Sequence, residues 1–72
     1  MNNLIRLIKK YNPKTRRSKV DIRRSSDGKI LMIISGPSAR YMSNALYHLF
    51  RALGKRNVRR WLCGSEWCVS FS

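Results

Sequence analysis

The sequence predicts a small α+β domain of order αββαββ, in which one long amphipathic helix packs on an antiparallel sheet of three or four strands beside a short N-terminal helix. Three observations carry this reading. An unbroken helical stripe lies between Gly36 and Gly54, and a stretch of β-type sequence stands on either side of it. Each stretch is split by a two-residue turn signal, Asp27-Gly28 and Gly64-Ser65.

Residues 2 to 11 place Leu4, Leu7, Ile8 and Tyr11 on one side at helical spacing and Arg6, Lys9 and Lys10 on the other, with Asn2 or Asn3 as candidate N-cap. Asn12-Pro13 stops this helix, because a residue preceding proline avoids the helical region. The polar run that follows has no periodicity, so residues 12–19 read as a basic loop or mobile arm. Lys19–Ser25 alternates and Lys29–Ser35 is apolar and β-branched, which with Asp27-Gly28 between them makes a hairpin. The run Ile30-Leu31-Met32-Ile33-Ile34 belongs to a strand that is covered on both faces or central in its sheet.

Gly36-Pro37-Ser38 announces the long helix, expected over 37–53 with Gly54 as its left-handed cap. Ala39, Met42, Ala45, Leu46, Leu49, Phe50 and Leu53 form its apolar face, and Arg40, Asn44, His48 and Arg51 lie opposite. In the last hairpin, a Gly64-Ser65 turn of type II′ puts Val58, Arg60, Leu62, Trp67, Val69 and Phe71 on one face, read as core. Arg59, Trp61, Cys63, Glu66, Cys68 and Ser70 fall on the other. A longer turn pairing Cys63 with Cys68 slides the register by two and keeps both faces.

A chain of 72 residues provides one domain, 1–72, with a single small core. At 43% hydrophobic residues it is not of the composition that stays disordered. Its charge is the informative quantity: 16 Lys plus Arg against three acids, net +13. Like charges at this density repel one another, and a polyanion relieves the repulsion while releasing its own condensed counterions. A surface designed only for solubility mixes both signs.

The cations cluster. Half lie between Lys9 and Arg24, and a second group runs from Arg51 to Arg60. The predicted phosphate contacts are Lys14, Arg16, Arg17 and Lys19 on the arm, with Arg23 after them, and Lys55, Arg56, Arg59 and Arg60 at the helix-to-strand corner. Arg40 and Arg51 add charge to the helix's polar face, which holds few groups able to read base edges in a duplex groove. Trp61 sits on the polar face of the hairpin. It either stacks on an unpaired base or packs beneath the N-terminal helix of a sheet covered on both sides. Tyr41 and Tyr47 flank the polar side of the long helix, in positions typical of a core rim. The Gly36–Arg40 segment has the free N–H groups of an anion-binding helix start but not the phosphate-loop lysine and glycine spacing.

No catalytic constellation is expected from one His, two Asp, one Glu and two Cys in different elements, and no cofactor is implied. Cys63, Cys68 and His48 are too few soft ligands for a structural zinc site, so no metal is expected and both cysteines are read as free thiols. No segment approaches the apolar length of a membrane span or a signal peptide, which points to a protein of the cytoplasm, nucleoid or host-cell interior. The leading expectation is a non-enzymatic DNA- or RNA-binding protein of the accessory kind carried by phages, plasmids or ribosomes, with single strands or structured RNA favoured. The alternative is a regulator or inhibitor docking on an acidic surface of a polymerase or nuclease. Attachment of residues 2–11 to anionic membrane is a third reading; the helix is more simply a piece of the core, and no membrane partner is expected.

Overall fold

The computed structural model describes residues 2–72 and has the predicted order. Helix α1 spans Asn2–Tyr11 and a single 3-10 turn, η1, spans Pro13–Thr15. Strands β1 (Lys19–Arg24) and β2 (Ile30–Ser35) precede helix α2 (Ala39–Ala52), and β3 (Arg59–Cys63) and β4 (Glu66–Phe71) close the chain. The four strands form one antiparallel sheet in the order β1-β2-β4-β3, so β2 and β4 are central and β1 and β3 are the edges.

Register divides the sheet into two unlike faces. Val20, Ile22, Ile34, Met32, Ile30, Trp67, Val69 and Phe71 point to one side, where Met32, Ile34, Val69 and Phe71 are buried against Met42, Leu46 and Phe50 of α2. Phe50 and Phe71 meet ring to ring at 4.3 Å. Each such fully buried side chain contributes about 1.5–3 kcal/mol, the largest favourable contribution available to a chain this short. Leu4, Ile5 and Ile8 of α1 pack against the same cluster, so both helices cover one face. An extent of 17 Å along the shortest axis accommodates one helix layer on a sheet and not a second.

The apolar run of β2 is therefore accounted for by its central position, not by double coverage. Leu31 and Ile33 lie half-buried on the open face.

Several local expectations are corrected. Asn2 and Asn3 are both inside α1, so neither caps it. Leu7 and Tyr11, expected inward, are 49% and 76% exposed, and Ile5 is turned in instead. The reason lies in η1, whose fully buried Thr15 donates from Oγ1 to Asn12 O at 2.7 Å and Ile8 O at 3.3 Å and so rotates the helix toward an Ile5–Ile8–Asn12 stripe.

The same contacts turn the expected arm into a fixed connector. Asn12 caps η1 through Lys14 N–H, Ser18 is buried with its hydroxyl on Thr15 O at 2.7 Å, and Lys9 Nζ donates to Ser18 O at 2.7 Å. The first hairpin closes through Ser25 N–H to Lys29 O at 3.0 Å, a three-residue loop where the two-residue signal suggested a tighter one.

Helix α2 starts at Ala39, with Ser38 as N-cap, and ends in a Schellman motif: Lys55 N–H donates to Phe50 O and Gly54 N–H to Arg51 O, with Gly54 at φ 79°. Leu53, expected in the core, is 58% exposed because it is the cap residue beyond the last helical turn. Leu62, also expected in the core, is 58% exposed, since it lies on the edge strand next to the exposed Gly64-Ser65 turn. The second hairpin has the predicted two-residue register, Cys63 opposite Glu66. Cys68 faces Trp61, so the alternative that pairs the cysteines is not formed.

Gly36 links β2 to α2 at φ 99°, and a Cβ there would lie 2.6 Å from Arg17 O. Gly54 also has positive φ but open space around it. Gly36→Ala is expected to cost more than about 2 kcal/mol, from strain plus a backbone clash, and Gly54→Ala only about 1 kcal/mol. Urea midpoints of the two variants measure the difference, and equal midpoints would refute the close approach.

Candidate nucleic-acid interface

The uncovered sheet face offers room for a ligand because no helix packs over it: Cys68 in its middle is shielded by its neighbours and Leu31, Ile33 and Ser70 are half-buried, while Arg23, Arg59 and Trp61 toward the edges are exposed. Two cross-strand rows define it: Arg23–Leu31–Ser70–Arg59, and beside it Asp21–Ile33–Cys68–Trp61. Of the two readings for Trp61, packing beneath α1 is not realised. The indole is 40% exposed on the face that no helix covers, two residues from Arg59 on the same side of β3. Arg59, Trp61 and Ser70 line a groove of about 520 Å³ together with Lys29, Asn57 and Ser72. Lys29, Asn57, Ser70 and Ser72 were not singled out from the sequence. Lys29 and Asn57 sit in loops brought beside β3 only by folding: Arg56 and Ser72 exchange backbone hydrogen bonds at 3.2 and 2.9 Å, and Asn57 Nδ2 donates to Ser72 Oγ at 3.0 Å.

The two neighbouring arginines of β3 have different fates. Arg59 is exposed on the open face. Arg60 points to the helix side, half-buried, with Nε donating to Ser43 Oγ at 2.9 Å, Nη2 to Arg40 O at 3.2 Å, and its guanidinium 3.9 Å from the centre of the Trp67 ring. Burial, with Arg40 adding to it, lowers the Arg60 pKa. This bond network also explains why Ser43, a polar residue on the long helix, is completely buried: its hydroxyl receives Arg60 and donates to Arg40 O at 2.9 Å. The fold thus employs Arg60 internally, tying β3 to α2.

The remaining predicted contacts are distributed over the surface. Lys14 lies on η1 with Nζ 5.5 Å from the Tyr41 ring centre, at the start of α2, and Arg16 donates from Nε to Lys9 O at 3.3 Å beside the exposed Arg17. Lys19 and Arg23 stand on the open face of β1, where Arg23 is paired with Asp21 at 3.3 Å. Arg40 is exposed in the first turn of α2. Arg51, in its last turn, lies 5.7 Å from the Tyr47 ring centre. Lys55 lies 5.7 Å from the Phe71 ring centre, and Arg56 is exposed beside it.

All three acids lie on β1, in its turn or at the start of β4, so α1, η1, α2, the loop after it and β3 carry positive charge alone. Two acids are engaged locally, Asp21 by Arg23 and Asp27 by the Ser25 hydroxyl and Lys29 N–H. The Ser25 hydroxyl foremost holds the Asp27 carboxyl below the usual carboxylate range. Cys63 is exposed and Cys68 buried, both as free thiols, and burial pushes the Cys68 thiol up. Among the described residues no group of three or more His, Cys, Asp or Glu side chains is placed to hold a metal ion, and no helix is long and apolar enough to cross a membrane.

Comparison with protein-family models, curated proteins and solved structures finds no match to this chain.

Two measurements check these assignments. Arg60→Ala is expected to lower stability by about 2–3 kcal/mol, through loss of charge-assisted hydrogen bonds and a cation–π contact, and Arg59→Ala to change it by less than about 0.5 kcal/mol. Denaturant titration separates them. At neutral pH, iodoacetamide should alkylate Cys63 in the folded protein and leave Cys68 until denaturant is added; equal rates at the two thiols would contradict the burial of Cys68.

Proposed function

We propose that this protein is a non-catalytic nucleic-acid-binding domain that grips the phosphate backbone and takes unpaired bases on the open face of its sheet. The observation that carries the reading is Trp61, an indole left in solvent beside Arg59 on a sheet face that no helix covers. A buried tryptophan stabilises a small fold; an exposed one at this position serves a ligand better than it serves the core.

The chemistry follows from the spacing. Residues two apart on a strand are about 6.6 Å apart, so a base lying on the Trp61 indole has its own phosphate or the next within reach of the Arg59 guanidinium. Lys29, Asn57 and Ser70 add a cation and hydrogen-bond donors around the same groove. Stacking needs an unpaired base, which favours single strands or the loops of structured RNA over duplex DNA. Lys14, Arg16, Arg17, Lys19, Arg23, Arg40, Arg51, Lys55 and Arg56 supply the long-range attraction that concentrates a polyanion at this surface. The acid-free segments make that attraction strongly salt-dependent. A reducing, cytoplasmic setting suits the two free thiols.

Fluorescence anisotropy with labelled single-stranded DNA, duplex DNA and RNA over a series of salt concentrations tests the proposal. Trp61→Ala is expected to weaken single-strand binding by roughly 5- to 150-fold, with a smaller effect on duplex. Arg59→Glu lowers affinity for every substrate and flattens the salt dependence by about one contact's worth. If neither substitution alters affinity for any of the three substrates, the proposal fails. Retention of a protein partner after nuclease treatment, with no nucleic-acid affinity in the pure protein, overturns it in favour of a regulator that docks on an acidic surface.

A further inference from the structure

We infer that the groove between α2 and the β3 edge is a second subsite of this interface, which takes a later unpaired nucleotide of a strand that continues past Trp61 and Arg59 and over that edge. The inference rests on the proposed function and extends it to residues outside the open sheet face.

Trp61 and Arg59 line two grooves, not one. Besides the sheet-face groove, they border a second hollow of about 600 Å³ whose other walls are Asn44, Tyr47 and His48 of α2, Arg60 of β3 and Val58 just before it. Its volume falls in the range of small-ligand sites, about 300–1,000 Å³, large enough for a nucleotide. Because β3 is an edge strand, no further strand separates the two grooves, and a chain leaving the Trp61 indole on the open face enters the second by passing over the edge. A sheet with β3 in its interior would have closed this route.

The lining suits a nucleotide. Asn44, Tyr47 and His48 fall at i, i+3 and i+4, one stripe of the helix, and Arg51 continues it at i+7. Asn44 and His48 are exposed on the side of α2 away from the core. An asparagine amide donates and accepts at once, the pattern needed to meet a base edge. Tyr47 and His48 stand edge to face with centroids 5.4 Å apart, so two aromatic surfaces at nearly right angles are offered to an incoming base. Positive charge is built in at both ends. Arg60 is held in place by Ser43 Oγ and Arg40 O, and Arg51 lies over Tyr47 with Nη1 3.4 Å from its hydroxyl. No acid lines the groove. Arg60, although engaged with Ser43 and Arg40, keeps its positive charge fixed beside the groove, where it attracts a phosphate, and the rings and the amide match the stacking faces and edges of a base.

The test uses the full chain, oligothymidylates of two and eight nucleotides, and the variants Asn44→Ala, His48→Ala and Trp61→Ala. Asn44 and His48 are exposed, so these replacements leave the fold intact, which circular dichroism verifies. The dinucleotide is taken up by the Trp61 indole and the Arg59 guanidinium on the sheet face and is too short to enter the α2 groove as well, so its affinity should fall with Trp61→Ala and hold within twofold for Asn44→Ala and His48→Ala. The octanucleotide spans both, and its affinity should fall about tenfold for the double variant Asn44→Ala/His48→Ala. Backbone amide shifts of α2 at Asn44 and His48 should move with the octanucleotide and stay in place with the dinucleotide.

If Trp61→Ala weakens both probes while the α2 variants bind both as well as the parent and the α2 amides do not move, the second subsite is refuted and the sheet-face function stands. If no variant changes either affinity, the function proposed above falls with it. A poly-glutamate peptide that shifts the α2 amides where the octanucleotide does not overturns the assignment in favour of an acidic protein ligand.

Discussion

Burial of one face of the four-stranded sheet beneath α2 is the constraint from which the rest of this molecule follows. The inward side chains of β2 and β4 meet Met42, Leu46 and Phe50, and that contact supplies nearly all of the fully buried apolar volume. With so short a chain there is no second layer to spend on the other face. Helix α1 goes to the side that already has a core, where Leu4, Ile5 and Ile8 extend it. The open face is thus a consequence of limited length, and its outer side chains Arg23, Arg59 and Trp61 remain exposed.

The edge strand β3 shows how local alternation sorts adjacent residues into different roles. Arg59 and Arg60 are chemically identical neighbours, yet the strand period turns one to solvent and the other toward α2. A guanidinium in a half-buried position is costly unless its donors are met, and here Ser43, the Arg40 carbonyl and the Trp67 ring meet them. The resulting link fastens the edge strand to the helix. It also keeps a fixed positive charge beside the α2–β3 groove, so one interaction stabilises the fold and sets the electrostatics of a hollow next to the proposed site. Charged side chains along β3 and β1 additionally discourage edge-to-edge pairing with another sheet.

The charge distribution carries its own physical demand. The acids at 21 and 27 are absorbed by local pairing in the first hairpin, and none lies in the helices, the loop after α2 or the edge strand β3. A net charge of +13 on a body about 32 Å long works against compactness in the free protein and rewards contact with a polyanion. The internal bonds of the 12–18 connector matter in this light, because Lys9, Arg16 and the buried Thr15 and Ser18 hold basic residues in defined positions that a free arm would have left to diffuse.

Element order, both hairpins, the span of α1 and the inner face of α2 except Leu53 at its cap were legible in the residues, since helical and strand periods, turn dipeptides and a C-terminal glycine are local signals. The exceptions have tertiary causes. Leu7 and Tyr11 face outward because buried Thr15 sets the rotation of α1, and Leu62 is exposed because nothing packs over the end of an edge strand. Of the candidate site, the basic residues and Trp61 could be named from charge and alternation. Which sheet face stays open, which of two arginines is internal, and which loops and helix side chains (Lys29, Asn57, Asn44, His48) gather round Trp61 could not. Periodicity and composition, being short-range properties of the chain, determined what this protein is built from and how charged it is. Strand order and layer count, which depend on contacts between residues far apart in sequence, decided where that charge meets an aromatic surface.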